Sequence, residues 1–264
     1  MSQSDAPPVI SVVCPTYNSA SFVLRTLESV VSQVYPPFEI VVADDGSTDE
    51  TISAVRNFLN GNPGTKSQVI MNSHRGPGAT RNTAVHCASG EWIAFIDSDD
   101  VWLPHKLQVV AQAIMTHSKA NFFCHSEEKI QQNGTRDLLD YGRLFDPQKP
   151  LPFQLYYRNF FSTSAVTCRR SLLTESGLFD EFLMSSQDYE LWLRMSPEIK
   201  PYFIEDVLGF YCEREGNITS SRLWSRWKNM VRIAFRHRKK ATTAGSLYHL
   251  LRLTAAYGIQ GLHK

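Results

Sequence analysis

Three carboxylates directly follow a short apolar run in the first half of the chain. The run from Ile93 to Ile96 is followed by Asp97, Asp99 and Asp100, three acids within four positions. An uninterrupted apolar run of this kind is typical of a strand that is buried on both faces of a parallel sheet. Open α/β sheets bind their ligands at the carboxyl ends of such strands. Two acids one residue apart can share a divalent cation, and their hard oxygen ligands suit Mg²⁺ or Mn²⁺.

The same acids also admit a purely structural interpretation. Asp is a preferred N-cap residue, and Asp100 precedes an apolar pattern that opens at Leu103 and Pro104. Three acids are more than one helix cap requires. We therefore favour a metal and phosphate site, in which the cation would in turn hold a diphosphate.

Composition and cysteine spacing exclude several classes of protein. The chain has 264 residues, of which 42% are hydrophobic and 20% charged, as in an ordinary globular protein. No apolar run reaches the roughly 18 residues of a membrane-spanning helix, and the first residues lack the apolar segment of a signal peptide. The five cysteines are scattered without paired spacing, which predicts reduced thiols in a cytoplasmic protein, with neither disulfides nor a zinc site.

The charges are distributed unevenly along the chain. Ten of the 27 Lys and Arg residues lie in 216–264, which contains no Asp or Glu, so residues 1–215 carry 17 basic against 26 acidic side chains. An acidic body with a basic tail predicts that the tail meets an anionic partner. A lipid headgroup surface, a phosphate group or another protein would each qualify.

Alternating strand and helix patterns in the first hundred residues predict a parallel sheet. The predicted strands are 9–14, 38–43, 68–71 and 93–96, and the predicted helices are about 21–33, 50–59 and the segment after residue 82. A strand, a helix and a second strand at this spacing form a right-handed crossover, which brings both strand ends to the same edge. We therefore expect the loops 15–18, 44–49 and 74–82 to meet residues 97–100 along one edge of the sheet.

The second half of the chain has a less regular pattern. It predicts a helix at about 104–116, a strand at 120–125, an excursion loop at 126–150 with a hairpin turn at 131–134, a strand at 161–168, and helices at 169–177 and about 186–195.

Four side chains near these predicted loops could bind a nucleotide or move a proton. Tyr17 offers an aromatic face for a nucleobase, and Asp45 a carboxylate for an imide N–H, although loop packing and turn formation are the simpler explanations for each. Arg81 could hold phosphate oxygens through its guanidinium, or it could be a solvated helix charge. Asp188 lies near the start of an amphipathic helix, where it could take a proton from a hydroxyl or simply cap the helix.

The assembled motifs resemble those of the family 2 glycosyltransferases, which transfer a sugar from a nucleotide diphosphate. The resemblance covers roughly residues 8–215, and the order of five motifs makes it specific. The motifs are Val-Cys-Pro-Thr-Tyr-Asn at 13–18, Val-Val-Ala-Asp-Asp-Gly-Ser-Thr-Asp-Glu-Thr at 41–51, Gly-Pro-Gly-Ala-Thr-Arg-Asn at 76–82, Phe-Ile-Asp-Ser-Asp-Asp at 95–100 and Gln-Asp-Tyr-Glu-Leu-Trp-Leu-Arg at 187–194.

The resemblance implies an α/β fold of the GT-A type. This is a Rossmann-like, mostly parallel, twisted sheet flanked by helices, here with a C-terminal helical extension. We expect a flexible N-terminus at 1–7, a catalytic domain at 8–215 and a basic helical extension at 216–264. Within the domain, 8–105 would be the nucleotide-binding half and 106–215 the acceptor half.

The resemblance also implies a role for each matching residue. Tyr17 would stack on the base and Asp45 would pair with it, commonly uracil, while Arg81 would lie near the diphosphate. Asp97 would lie by the ribose and the metal, and Asp99 would bind Mn²⁺ or Mg²⁺ directly. Asp188 would be the general base. Pro15 and Ser98 complete the expected substrate-binding set.

The implied reaction inverts the anomeric centre in a single displacement. The expected donor is a UDP-sugar carrying a hexose or N-acetylhexosamine, and the acceptor is a glycan or lipid-linked hydroxyl in surface polysaccharide biosynthesis. No nucleic-acid partner is expected. The protein would work in the cytoplasm, at the inner face of the cytoplasmic membrane if its tail binds lipid.

Two departures from the family pattern keep other functions open. The family commonly has Glu before the catalytic acid, where this chain has Gln187. The segment 211–219 lacks the usual basic or His residue facing the donor phosphate, so either Arg214 replaces it or the contact is made elsewhere. A catalytically silent nucleotide-sugar binding module and a basic-tailed scaffold protein are the alternatives.

The basic tail contains an amphipathic helix. Its predicted apolar face comprises Leu223, Trp224, Trp227, Met230, Val231, Ala234 and Phe235, and the predicted opposite face comprises Arg222, Arg226, Arg232 and Arg236. Two tryptophans on a basic helix are typical of an interfacial membrane segment, but terminal helices more often pack on a core. Both can hold if the helix packs and still presents Arg236, Arg238, Lys239 and Lys240 to anionic lipid.

Overall fold

The structure is a computed structural model that describes residues 6–214 and 223–262, with side chains described for 6–214 and 224–256. Three predictions fall wholly or partly outside these residues: the flexible N-terminus at 1–7, the position of Arg222 and the second half of the 211–219 motif.

The first hundred residues form the predicted parallel sheet. The elements are β1 (Ile10–Thr16), α1 (Val23–Val31), β2 (Glu39–Asp44), α2 (Thr51–Asn60), β3 (Ser67–Met71), α3 (Pro77–Cys87) and β4 (Trp92–Phe95). The strands lie in the order β3-β2-β1-β4 and every neighbouring pair is parallel. The hydrophobic side chains of β1, β2 and β4 are buried because the sheet is covered on both faces. The predicted crossover is confirmed.

The second half of the chain extends the same sheet. Its elements are β5 (Val101–Trp102), α4 (Lys106–Thr116), β6 (Phe122–Ile130), β7 (Arg136–Leu139), α5 (Leu151–Tyr157), β8 (Val166–Arg169), α6 (Arg170–Glu175), α7 (Gln187–Met195) and β9 (Pro201–Cys212). The sheet continues from β4 through β8, β6, β9 and β5, and β7 pairs with β6. The predicted α/β architecture, a mostly parallel sheet flanked by helices, is confirmed.

Two local predictions are wrong, and so is the alternative in which Asp100 caps a helix. The strand predicted at 120–125 continues to Ile130 and forms a hairpin with β7, so 126–139 is largely sheet and only the turn at 131–134 was right. Residues 163–165 form a 3-10 turn ahead of β8 instead of strand. Asp100 does not cap a helix, because β5 follows it and α4 begins only at Lys106.

Helix α7 is anchored by one large side chain. Trp192 is fully buried and packs edge-on against Phe95 of β4 and Phe122 of β6. Aromatic contacts of this kind stabilise a core beyond the area they bury. They hold α7 against the sheet, and Asp188 lies in its first turn.

The predicted C-terminal helix exists and packs on the domain, but with a different face. In α8 (Leu223–Arg236), Ile233 and Ala234 are buried, and Tyr156 donates its hydroxyl to the Ala234 carbonyl at 3.0 Å. Trp224 and Phe235, predicted on the packing face, are 76% and 58% exposed.

Arg236, predicted to face lipid, pairs with Asp180 and Glu190, so the two acids draw this side of α8 towards the domain. The last helix, α9 (Thr243–Leu262), packs against α8. Within the described residues, none of the helices combines the length and the hydropathy that crossing a membrane requires.

Candidate active site

Three loops meet at the carboxyl edge of the parallel strands. The N–H of Asp45 donates to the carbonyl of Thr16 at 2.9 Å, and the N–H of Asn72 donates to the carbonyl of Asp44 at 2.9 Å. The hydroxyls of Ser19 and Ser98 lie 2.9 Å apart, which joins the first loop to the central acids. The predicted convergence of loops 15–18, 44–49 and 74–82 on residues 97–100 is therefore confirmed as geometry.

The predicted base-binding pair lies at one end of this edge. Tyr17 is half exposed, and its ring stacks on that of His74 with the centroids 4.5 Å apart. The buried carboxylate of Asp45 accepts the N–H groups of Arg75 at 2.8 Å and Gly76 at 3.0 Å. Asp45 thus holds the 74–76 loop in place, as the turn interpretation expected, and it lies beside the ring system of Tyr17. Pro15 lies within β1, two residues before Tyr17.

Arg81 is the centre of charge in the cleft. Its side chain is buried and donates to Asp97, so the interpretation as a solvated helix charge is wrong. The Nε and Nη1 atoms of Arg81 are buried without a hydrogen-bond partner among the described residues. Unpaired buried donors are costly, and a phosphate oxygen would satisfy them.

Asp99 lies two residues after Asp97 and pairs with a different arginine, Arg214. The Nε of Arg214 lies 2.7 Å from Oδ2 of Asp99. Burial and the neighbouring carboxylate of Asp97 raise the pKa of Asp99. Across the described part of the chain, no three His, Cys, Asp or Glu side chains gather into a cluster able to hold a metal ion. The two hard carboxylates nevertheless suit Mn²⁺ or Mg²⁺ when phosphate oxygens complete the shell.

Asp188 lies close enough to Arg81 for their charges to interact. Burial raises the pKa of its carboxyl, and the positive charge of Arg81 opposes that rise. Asp97 and Asp188 therefore both act on the guanidinium of Arg81. Among the described side chains, only the hydroxyl of Thr163 donates to Asp188, at a long 3.4 Å, and no side chain caps α7 at its N-terminus. The preceding Gln187 is buried, and its Oε1 has no partner among the described residues.

Sequence reasoning missed Ser164, whose hydroxyl holds residues 97–100 in place. Its hydroxyl accepts the N–H of Asp97 at 3.0 Å and donates to Asp100 at 2.5 Å. The N–H of Cys212 also donates to Asp100, at 2.9 Å. The sequence offers no signal that distinguishes Ser164 from its neighbours Ser162 and Thr163, because its partners lie more than sixty residues away. His74 was missed as well, because its partners Tyr17 and Asp45 lie on two other loops.

Comparison with known proteins identifies the family. The sequence model described as "Glycosyl transferase family 2" matches residues 11–176. An Escherichia coli protein described as UDP-Glc:alpha-D-GlcNAc-diphosphoundecaprenol beta-1,3-glucosyltransferase WfgD is 28% identical over 85% of this chain and 83% of its own length. WcaA of Escherichia coli K12, whose name refers to colanic acid biosynthesis, is 29% identical over 93% of this chain and 87% of its own.

A solved structure is similar over nearly the whole chain. S. aureus TarS 1-349 in complex with UDP-GlcNAc superposes with a TM-score of 0.74 and 24% identity, over 93% of this chain and 71% of that one. The chain spans only 39% of a longer TarS structure. At this identity the likeness shows the fold, and that fold is the GT-A type expected from the sequence.

Proposed function

Given that the chain belongs to glycosyl transferase family 2 and is a glycosyltransferase, we propose that it is an inverting, metal-dependent enzyme that uses a UDP-sugar. The acceptor is a hydroxyl of a glycan or lipid-linked sugar in surface polysaccharide biosynthesis. One observation carries the proposal: the charges of Asp97 and Asp188 both act on buried Arg81, whose Nε and Nη1 have no hydrogen-bond partner among the described residues. The proposed metal ligand Asp97, the phosphate-binding Arg81 and the general base Asp188 would thus lie in one cleft.

Each residue of the cleft has a distinct task. Tyr17 and Asp45 hold the base, Pro15 and Ser98 line the nucleotide site, and the free N–H groups of Arg81 hold diphosphate oxygens. Asp97 and Asp99 are the residues that would hold Mn²⁺ or Mg²⁺, which supplies Lewis-acid stabilisation of the leaving diphosphate when bound.

Asp188 carries the proton transfer. Its carboxylate takes the proton of the acceptor hydroxyl while that oxygen forms a bond to C1 of the sugar. The bond from C1 to the diphosphate oxygen breaks, its electron pair leaves with UDP, and the configuration at C1 inverts. A carboxylate whose pKa is raised by burial is a stronger base than an exposed one, which suits this role.

The choice of donor and acceptor is supported by relatives. WfgD is described as using UDP-Glc and a diphosphoundecaprenol-linked acceptor, and TarS was solved with UDP-GlcNAc. We extend to this chain the class they share, a UDP-hexose or UDP-N-acetylhexosamine donor and a glycan or lipid-linked acceptor. The catalytic unit would comprise residues 8–215, with its donor half at 8–105 and its acceptor half at 106–215.

The variant Asp188→Asn tests whether Asp188 is the general base. We expect hydrolysis of UDP-glucose, or transfer to an added acceptor, to fall at least about 100-fold, with UDP affinity unchanged. Asp206→Asn is the matched control, because Asp206 is an exposed acid on β9. Equally slow turnover in the wild type and Asp188→Asn, with UDP binding intact, would identify a silent nucleotide-sugar binding module, the alternative that Gln187 motivates.

We also propose that the exposed face of α8 rests on an anionic bilayer at the inner face of the cytoplasmic membrane. Trp224, Lys228, Arg232 and Phe235 are exposed at helical spacing on one side of α8, and residues 216–264 contain no acid. Alternating aromatic and basic side chains suit the interface of a charged lipid surface. Such a position would bring the cleft to a lipid-linked acceptor.

Vesicle flotation tests this surface. Binding to vesicles containing phosphatidylglycerol is expected, and it should fall in the double variant Trp224→Ala, Phe235→Ala. Leu138→Ala, an equally exposed apolar residue on β7, should bind as the wild type does. Absence of binding at every salt concentration would overturn the proposal.

A further inference from the structure

His74 lies against both residues assigned to the nucleobase. Its ring stacks on Tyr17 with an interplanar angle of 24°, and its Nδ1 lies 2.8 Å from Oδ2 of Asp45. An aromatic nitrogen heterocycle from the chain itself therefore makes the stack and the polar contact that the proposed function gives to uracil.

The carboxylate of Asp45 has little capacity for a further partner. Oδ1 accepts the N–H groups of Arg75 at 2.8 Å and Gly76 at 3.1 Å, and Oδ2 accepts that of Gly76 at 3.0 Å. The side chain of Asp45 is only 5% exposed. A base can reach the half-exposed ring of Tyr17, but its hydrogen bond to Asp45 requires His74 to leave Oδ2.

Only the side chain of His74 has to move. The loop backbone is tied down on both sides of it, by the N–H of Asn72 to Asp44 and by those of Arg75 and Gly76 to Asp45. The side chain of His74 is 52% exposed, so rotation carries the imidazole into water without disturbing the core.

We propose that His74 is an internal ligand of the nucleobase pocket, occupying the base position in the free protein and turning out when the donor binds. The inference rests on the proposed function, because it takes Tyr17 and Asp45 as the residues that receive the base. An incoming base must replace the hydrogen bond that Asp45 loses when His74 turns out, and the N3–H of uracil can do so.

Calorimetric titration of the full chain with UDP, in the presence of Mn²⁺, tests the inference. His74→Ala should bind UDP about tenfold more tightly than the wild type, because one hydrogen bond and one stack no longer have to be broken. His74→Phe keeps the stack and loses the hydrogen bond, so its affinity should lie between the two. His105→Ala is the control, since His105 is an exposed histidine that forms a hydrogen bond with Gln108.

NMR gives a readout that does not depend on affinity. The imidazole signals of His74, assigned by their loss in His74→Ala, should shift when UDP is added to the wild type, because the ring leaves Tyr17. Both variants retain the loop contacts made by the backbone, and thermal melting without ligand verifies that each is folded.

Weaker or unchanged UDP binding by both His74 variants would overturn the inference, because His74 would then be part of the surface on which the base stacks. Asp45→Asn separates this failure from failure of the proposed function. If the wild type binds UDP and Asp45→Asn does not, the nucleotide site stands whatever His74 does. If the wild type binds no UDP, both proposals fall.

Discussion

Arg214 places its Nε 2.7 Å from Oδ2 of Asp99, so the acid assigned to the metal is already neutralised by a cation of the chain. The guanidinium of Arg214 also lies over the ring of Phe22, 4.0 Å from its centroid. A metal ion that binds Oδ2 of Asp99 would therefore compete with Arg214. We expect the released guanidinium to make the phosphate contact that the altered 211–219 motif left open.

Removal of this competing charge should strengthen metal binding. We expect Arg214→Gln to bind Mn²⁺ several-fold more tightly than the wild type without nucleotide, because a partly buried ion pair no longer opposes the metal. Electron paramagnetic resonance of free Mn²⁺ measures this. Arg136→Gln removes an exposed arginine paired with Glu128 and should leave Mn²⁺ affinity unchanged. Unchanged or weaker Mn²⁺ binding by Arg214→Gln would contradict the prediction.

Ser164 should matter for turnover more than for folding. Ser164→Ala removes the acceptor for the N–H of Asp97 and the donor to Asp100, so the acidic segment loses its support. We expect about a tenfold loss of kcat, and a loss of about 1 to 3 kcal/mol in the free energy of unfolding. Steady-state kinetics and urea denaturation measure the two effects. Ser171→Ala, at an exposed site in α6, should change neither. A wild-type kcat in Ser164→Ala would show that residues 97–100 keep their conformation without the Ser164 hydroxyl.

Stability should depend on pH through Glu127. Burial raises the pKa of Glu127 from 4.5 to about 7, while the hydroxyl of Tyr141 donates to it at 2.7 Å. Between these values the native state keeps a proton that the unfolded state has released, so the free energy of unfolding falls as pH rises. Glu127→Gln removes this contribution. The wild type should therefore lose on the order of 1 to 3 kcal/mol relative to the variant between pH 4.5 and 7.5.

Urea denaturation of both proteins at the two pH values measures the difference. Titrating groups remote from Glu127 contribute equally to the wild type and the variant, so they cancel in the comparison. A constant difference at both pH values would mean that the native state does not raise the pKa of Glu127.

The two faces of α8 should respond differently to truncation. Ile233→Ala removes a fully buried side chain and should lower the free energy of unfolding by about 2 to 4 kcal/mol. Phe235→Ala removes a larger but exposed side chain and should cost less than about 1 kcal/mol. Chemical denaturation compares them directly. A larger loss for Phe235→Ala than for Ile233→Ala would mean that α8 packs through the face predicted from the sequence.

The sequence by itself determined the parallel half of the sheet and the edge where the site lies. Buried strands and helices are local patterns, and a right-handed crossover leaves one choice for where strand ends meet. Asp97, Asp99 and Arg81 could therefore be placed together before any coordinate was known. The motif order added the family, which the comparison with known proteins confirms.

Only the tertiary structure decided which partner each of these groups meets. Amphipathic spacing groups the residues of α8 into faces, but the pairing of Arg236 with Asp180 and Glu190 selects the face that packs. His74 on Asp45, Arg214 on Asp99 and Ser164 beneath Asp97 join segments 29, 115 and 67 residues apart. Periodicity and propensity carry information over a few residues only, so contacts across such separations are set by packing.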